Sequence, residues 1–312
     1  MRLPPPLARG ARVALVTPAG PLRGSHELDV AIANARSLGW EPAVGASVLA
    51  RDGYLAGDDA ARVRDLNAAL TDDTVDAIWC VRGGYGMMRL LPRVDFDALA
   101  RRPRAIIGYS DVTALHAAAS TRCELVSYHG PTAREPLSDF SRDSLVRAVV
   151  DRSDPCGTAT GARPIRGGVA EGRLVGGNLS ILAALAGTPY APDYRGAILV
   201  LEDVGEPAYR VDRMLTQLAL AGSLGRIAGL VAGHFTEATP GHELASETVD
   251  ALLREVADVA GVPAIAGAPI GHLDEQWTIP LGAVARLDAD ALTLHVDLPG
   301  ASGTPAIKRM LE

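Results

Sequence analysis

Short apolar runs alternate with longer stretches of helical periodicity along this 312-residue chain, and that rhythm constrains its fold more than any other feature. Residues 13–16 and 77–81 are apolar and β-branched or aromatic, and residues 28–38 and 59–70 between them carry apolar positions at helical spacing. Two parallel neighbours in a sheet need a crossover between them, so strand, helix and strand in succession predict a parallel sheet. The pattern continues with a strand at 105–107, a helix at 111–120 and a strand at 125–128. The first half therefore reads as a doubly wound α/β domain over residues 1–150.

Between Asp151 and Gly168 the text DRSDPCGTATGARPIRGG holds neither periodicity, which puts a linker at 151–167. The rhythm then resumes with strands at 172–175, 197–201 and 230–232 and helices at 178–185, 209–220 and 246–257. A closing pair of strands at 283–287 and 292–296 makes the second unit, residues 168–312, an α/β domain with a mixed sheet.

Hydrophobic residues at 48% against 21% charged are enough to bury a core, which excludes a disordered chain. A net charge of −7 with a single lysine, Lys308, gives no footprint for nucleic acid or an anionic membrane. The run Arg101, Arg102 and Arg104 reads as solvated surface. Cys80, Cys123 and Cys156 form no CxxC pair and no disulfide framework, so a reducing compartment is expected. The opening MRLPPPLARGARVALVTPAG has no apolar core of signal-peptide length. A cytoplasmic protein is the expectation.

Four segments carry candidate chemistry. In AIIGYSDVTAL an apolar strand meets a helix at Ser110, where a sharp turn would present Oγ at the strand's carboxyl end beside free backbone N–H groups. The plainer alternative is a helix cap. WCVRGGYGMMRLL is a glycine-rich turn after a strand. Arg89 stands where a dinucleotide fingerprint needs its third glycine, leaving a tight turn or an oxyanion hole built from the Gly84 and Asp111 N–H groups. GAILVLEDVGEP delivers Glu202 and Asp203 to a strand end, where either could orient a histidine, with Glu206 close behind. Among seven histidines, His234 and His272 each follow a glycine at a strand end, whereas His242 lies in an exposed Pro-Gly loop. His26-Glu27 and His242-Glu243 lack the second histidine of a zinc helix, so no metal is expected. Acyl transfer by a serine uses most of these segments together.

As a set, these motifs resemble the LD-carboxypeptidases, the serine peptidase family that also contains the microcin C immunity proteins. The likeness runs through VALVTPAGP, GYLAGDDAARVRDLNAAL, VRGGYGMMRLLP, IIGYSDVTALH, YHGP, GRLVGGNLSILAALAGTP, LVLEDVGEPAYRVDRMLTQL and PIGHLDEQWTIPLGAVARLD. It implies a triad of Ser110, Glu202 and His272, an oxyanion hole at Gly84 and Asp111, a homodimer and no cofactor. The implied activity is release of the terminal D-alanine of muramoyl tetrapeptide in cytoplasmic cell-wall recycling. Arg82 or Arg210 would take a substrate carboxylate. A microcin C type amidase acting on aminoacyl nucleotides is the alternative, with Trp277 as its platform for the base.

Overall fold

The computed structural model describes residues 1–236 and 246–299, so His242 and Glu243 lie outside the described residues. Five parallel strands form the body of the first sheet: β1 (Arg12–Val16), β2 (Glu41–Val44), β3 (Ala77–Cys80), β4 (Ala105–Gly108) and β5 (Ser127–His129). They lie in the order β2-β1-β3-β4-β5, the doubly wound arrangement with its topological switch between β1 and β3. The connecting helices are α1 (Ser25–Ser37), α2 (Asp59–Thr71), the short α3 (Met87–Leu90) and α4 (Phe96–Arg101), and α5 (Thr113–Cys123), and α6 (Asp139–Val146) follows the last parallel strand.

Alternation along β1 shows why both faces are covered. Ala14 and Val16 join the core under α2, α4 and α5, while Val13 and Leu15 point the other way to α1 and α6. Trp79 and Trp40 meet edge to face in the second of these cores, with centroids 5.7 Å apart.

The second sheet is assembled from β6 (Gly157–Thr158), β7 (Arg163–Arg166), β8 (Val169–Asn178), then α7 (Leu179–Leu185), β9 (Ala197–Val204), α8 (Ala208–Leu220), β10 (Gly229–Thr236), α9 (Ser246–Ala260) and β11 (Ala264–Ala266). A short strand, β12 (Ile279–Leu281), precedes the hairpin β13 (Val284–Asp288) and β14 (Thr293–Asp297). The order is β6-β14-β13-β8-β9-β10-β11-β7, with β8 to β11 parallel and the outer strands antiparallel, so the sheet is mixed as the sequence suggests. Helices α7, α8 and α9 pack on one face. The opposite face, with Leu174, Ile198, Val200, Val231 and Ile265, is covered by Ala268, Ile270, Trp277, Ile279 and Leu281.

Three features differ from the sequence expectation. The stretch 151–167, expected as linker, contributes β6 and β7 to the second sheet; strands of two and four residues are too short to show a period. β12 leaves the second half and pairs antiparallel with β5, so it closes the edge of the first sheet. Arg104 is buried rather than solvated, its guanidinium donating to the carbonyls of Leu70, Asp72 and Val75. Among the described residues, no helix is long and apolar enough to cross a membrane.

Candidate active site

Ser110 follows β4 after one intervening residue, Tyr109, and has φ +63°, a left-handed conformation that a residue with a Cβ adopts at a cost of roughly 1–3 kcal/mol. It opens a single 3₁₀ turn, Ser110–Val112, that runs into α5, and neither helical segment has a side-chain cap. The cap reading of Ser110 therefore fails, and the half-buried serine sits on a strained strand-to-helix turn.

The turn after β3 lies against this elbow. A methyl group on Gly83 would sit 2.8 Å from Ser110 Cβ and 3.1 Å from its Oγ. Gly84, with φ +113°, has its Cα so close to the loop after β1 that an added Cβ would lie 3.0 Å from Gly20 Cα. Only glycine serves there. Met87 N donates to the Asp111 carboxylate at 2.7 Å, which fastens the end of the glycine turn to the elbow. Burial pushes the Asp111 carboxyl up to about 6, against the opposing bond from Met87.

From the second half, β9 brings Glu202 and Asp203 to its carboxyl end. The Glu202 side chain is fully buried and accepts from His272 Nδ1 at 2.9 Å. Gly271, at φ +108°, lets the chain pass over it, since a side chain there would strike Glu202 Oε2 at 2.7 Å. Asp203 is engaged otherwise: it accepts from Asn178 Nδ2, from the N and Oγ of Ser180, and from its own neighbour Val204 N. Glu206 is paired on the surface with Arg210 at 3.3 Å. Of the three acids near this strand end, Glu202 is the one bonded to His272.

The two halves meet at this point. The His272 ring stands edge to face on Tyr109, with centroids 4.8 Å apart, which puts the histidine beside the residue preceding Ser110. Asn178 N donates to Thr113 Oγ1 at 3.0 Å and so ties the end of β8 to the start of α5. With its second ring nitrogen turned from Glu202, His272 can accept a proton from a neighbouring hydroxyl.

Other expected contacts fall elsewhere. Trp277 is 2% exposed and packed in the core between the sheets, which rules it out as a platform for a base. Arg210 is a surface residue whose partner is four positions back on the chain. His234 lines a separate cavity with Arg163, Asp250 and Phe235. Arg82 is half-buried and lies in the segment that leads into the glycine turn, with Nη1 donating to Pro21 O. Burial and the nearby guanidinium of Arg134 both disfavour its charge. Arg134 itself bridges Glu27 at 3.0 Å and Glu135 at 2.7 Å.

Sequence reasoning passed over His116, which braces the elbow, and His129, whose ring lies 6.1 Å from that of Tyr109. His116 Nε2 meets Gly108 O at 2.8 Å and its Nδ1 meets Ser127 Oγ at 2.9 Å, locking the backbone just before Ser110. Burial lowers His116 to about 4 and His129 well below its ordinary value, which disfavours the charged form of each. Their signal lay in TALH and YHGP, but a lone histidine in an apolar run does not reveal its partners.

The models of the LD-carboxypeptidase N-terminal and C-terminal domains match residues 13–130 and 171–287. A Streptomyces coelicolor protein with carboxypeptidase in its name is 40% identical over 95% of this chain and 96% of its own length. The murein tetrapeptide carboxypeptidase of Pseudomonas aeruginosa is 36% identical over 90% of this chain and 94% of its own. Among solved structures, the muramoyltetrapeptide carboxypeptidase of Oxalobacter formigenes superposes with a TM-score of 0.80 at 31% identity, covering 92% of this chain and 98% of that one.

Proposed function

This chain belongs to the LD-carboxypeptidase family, and on that premise we propose that it releases the terminal D-alanine of muramoyl tetrapeptide through a Ser110–His272–Glu202 triad. The observation that carries the reading is the Glu202–His272 bond delivered to the strained Ser110 elbow by the Tyr109–His272 contact. His272 Nε2 takes the Ser110 proton as Oγ attacks the carbonyl between the L-centre of the third residue and D-alanine. Glu202 fixes the ring tautomer and stabilises the imidazolium. The tetrahedral oxyanion is met by the N–H groups of Gly84 and Asp111. His272 then returns the proton to the leaving D-alanine nitrogen, and water, activated by the same histidine, hydrolyses the acyl-enzyme.

A carboxypeptidase must recognise a free carboxylate next to the scissile bond. Arg82 fits that role, because an anion would relieve the unfavourable burial and crowding of its charge beside Arg134. A cavity of about 380 Å³ lined by Pro131, Glu135, Ser138, Leu273 and Gln276 lies next to the His272 segment. Buried, free cysteines suit the cytoplasm, and the family resemblance supports a homodimer there.

The test is mass spectrometry of muramoyl tetrapeptide incubated with the protein. Loss of one alanine, abolished in Ser110→Ala and unaffected by a chelator, is expected. Turnover of an aminoacyl nucleotide amide alone would replace the substrate and keep the triad; activity intact in Ser110→Ala would overturn both.

A further inference from the structure

We infer that Arg62 is a positioning residue that sets the oxyanion turn against Ser110, an inference that rests on the serine peptidase reading above. Arg62 lies on α2, away from the reacting atoms, and its side chain has no exposed surface. A buried guanidinium needs partners for its donors, and the partners here are backbone groups of the loops around the site. Nη1 donates to Pro18 O at 2.5 Å and to Gly86 O at 3.0 Å, and Nε donates to Gly57 O at 3.3 Å. Nη2 is paired with Asp59, which also receives a forked bond from Arg89.

These carbonyls are not an arbitrary set. Pro18 belongs to the loop leaving β1, and Gly86 ends the glycine turn leaving β3, so Arg62 bridges the two sides of the topological switch. The beginning of that turn is fixed to the same β1 loop, because Gly20 N donates to Gly83 O at 2.9 Å. Its far end is fixed by Arg62 on Gly86 and by Asp111 on Met87 N. Gly84, whose N–H is assigned to the oxyanion, lies between these anchors. A planar fork with donors at fixed angles holds two carbonyls in one relative position, whereas an ammonium group is a single point of attachment. Loss of the fork lets the turn shift against Ser110 while the Glu202–His272 pair stays in place.

Such a shift acts on the transition state more than on bound peptide, since the oxyanion exists only during reaction. Arg62→Lys is therefore expected to lower kcat by about 10- to 100-fold while KM stays within about 2-fold. Affinity for the tripeptide product, measured by calorimetry, should not change. Methylguanidinium added to Arg62→Ala should restore part of kcat. Arg62→Lys with the kcat of the parent overturns the inference, as does a fall in product affinity that parallels the fall in kcat. If neither Arg62 variant folds, Asp59→Asn decides: a kcat a few-fold lower with unchanged KM supports the clamp, and parental kcat overturns it. A parent protein that releases no D-alanine would instead defeat the peptidase reading itself.

Discussion

The two sheets solve the same packing problem differently. The first is covered by helices on both faces, with α2, α4 and α5 on one side and α1 and α6 on the other. The second has helices on one face, and its other face is closed by irregular chain and β12. Ser110 issues from the doubly covered sheet, at the end of a strand whose four residues are all buried. His272 rides on the irregular cover. The proposed nucleophile is thus placed by regular secondary structure, and the proposed base by side-chain packing plus one hydrogen bond to Glu202.

The largest expected effect tests that hydrogen bond. Glu202→Gln should cost about 10³- to 10⁴-fold in kcat because it disturbs the histidine tautomer, whereas Glu206→Gln should stay within about 2-fold. Equal losses in a D-alanine release assay would return the orienting role to the surface acid. A smaller effect separates the two ways of placing a residue. Ile270, fully buried in the irregular cover, and Leu99, fully buried under the first sheet, should each cost about 2–4 kcal/mol on change to alanine. Per folded molecule, Ile270→Ala should also lose about 10-fold in kcat through a displaced His272, and Leu99→Ala should lose little. Chemical denaturation beside steady-state kinetics would measure both; equal activities would mean that the cover does not set the base.

The smallest effect is a pH dependence within the first half. The Asp111 carboxyl is raised from 3.8 to about 6, so the folded state holds its proton more tightly and its contribution to stability is lost as pH rises through 6. His116 is lowered from 6.5 to about 4, so its contribution is present above 6.5 and lost as pH falls through 4. The two oppose one another between pH 4 and 6. Asp111→Asn removes the falling component, and its urea midpoint should climb more steeply over that window than the parent's. Parallel curves would show that Asp111 does not titrate there.

Much of this was legible in the sequence because the first-half strands are continuous apolar runs and Gly-Tyr-Ser-Asp marks its own turn. Residues 41–44, EPAV, were not legible, since a half-exposed edge strand with a proline has no hydrophobic signature. At the site, the motif reading named Glu202 and His272, which stand 2.9 Å apart in the structure. Trp277 failed because its neighbours in sequence say nothing about the core it fills from between the sheets. Arg62 was invisible for the opposite reason: at helical spacing among charged residues it looks solvated, and only the loops folded over it make it buried.

The pairing of β12 with β5 has a consequence for synthesis. Ile279 lies opposite His129, so the strand that completes the first sheet leaves the ribosome 150 residues after the strand it joins, 279 minus 129. Until then β5 presents an open edge of unpaired amides to other nascent chains. So high a contact order makes final assembly slow, and a fragment ending near residue 150 would carry the serine on a sheet with an unguarded margin.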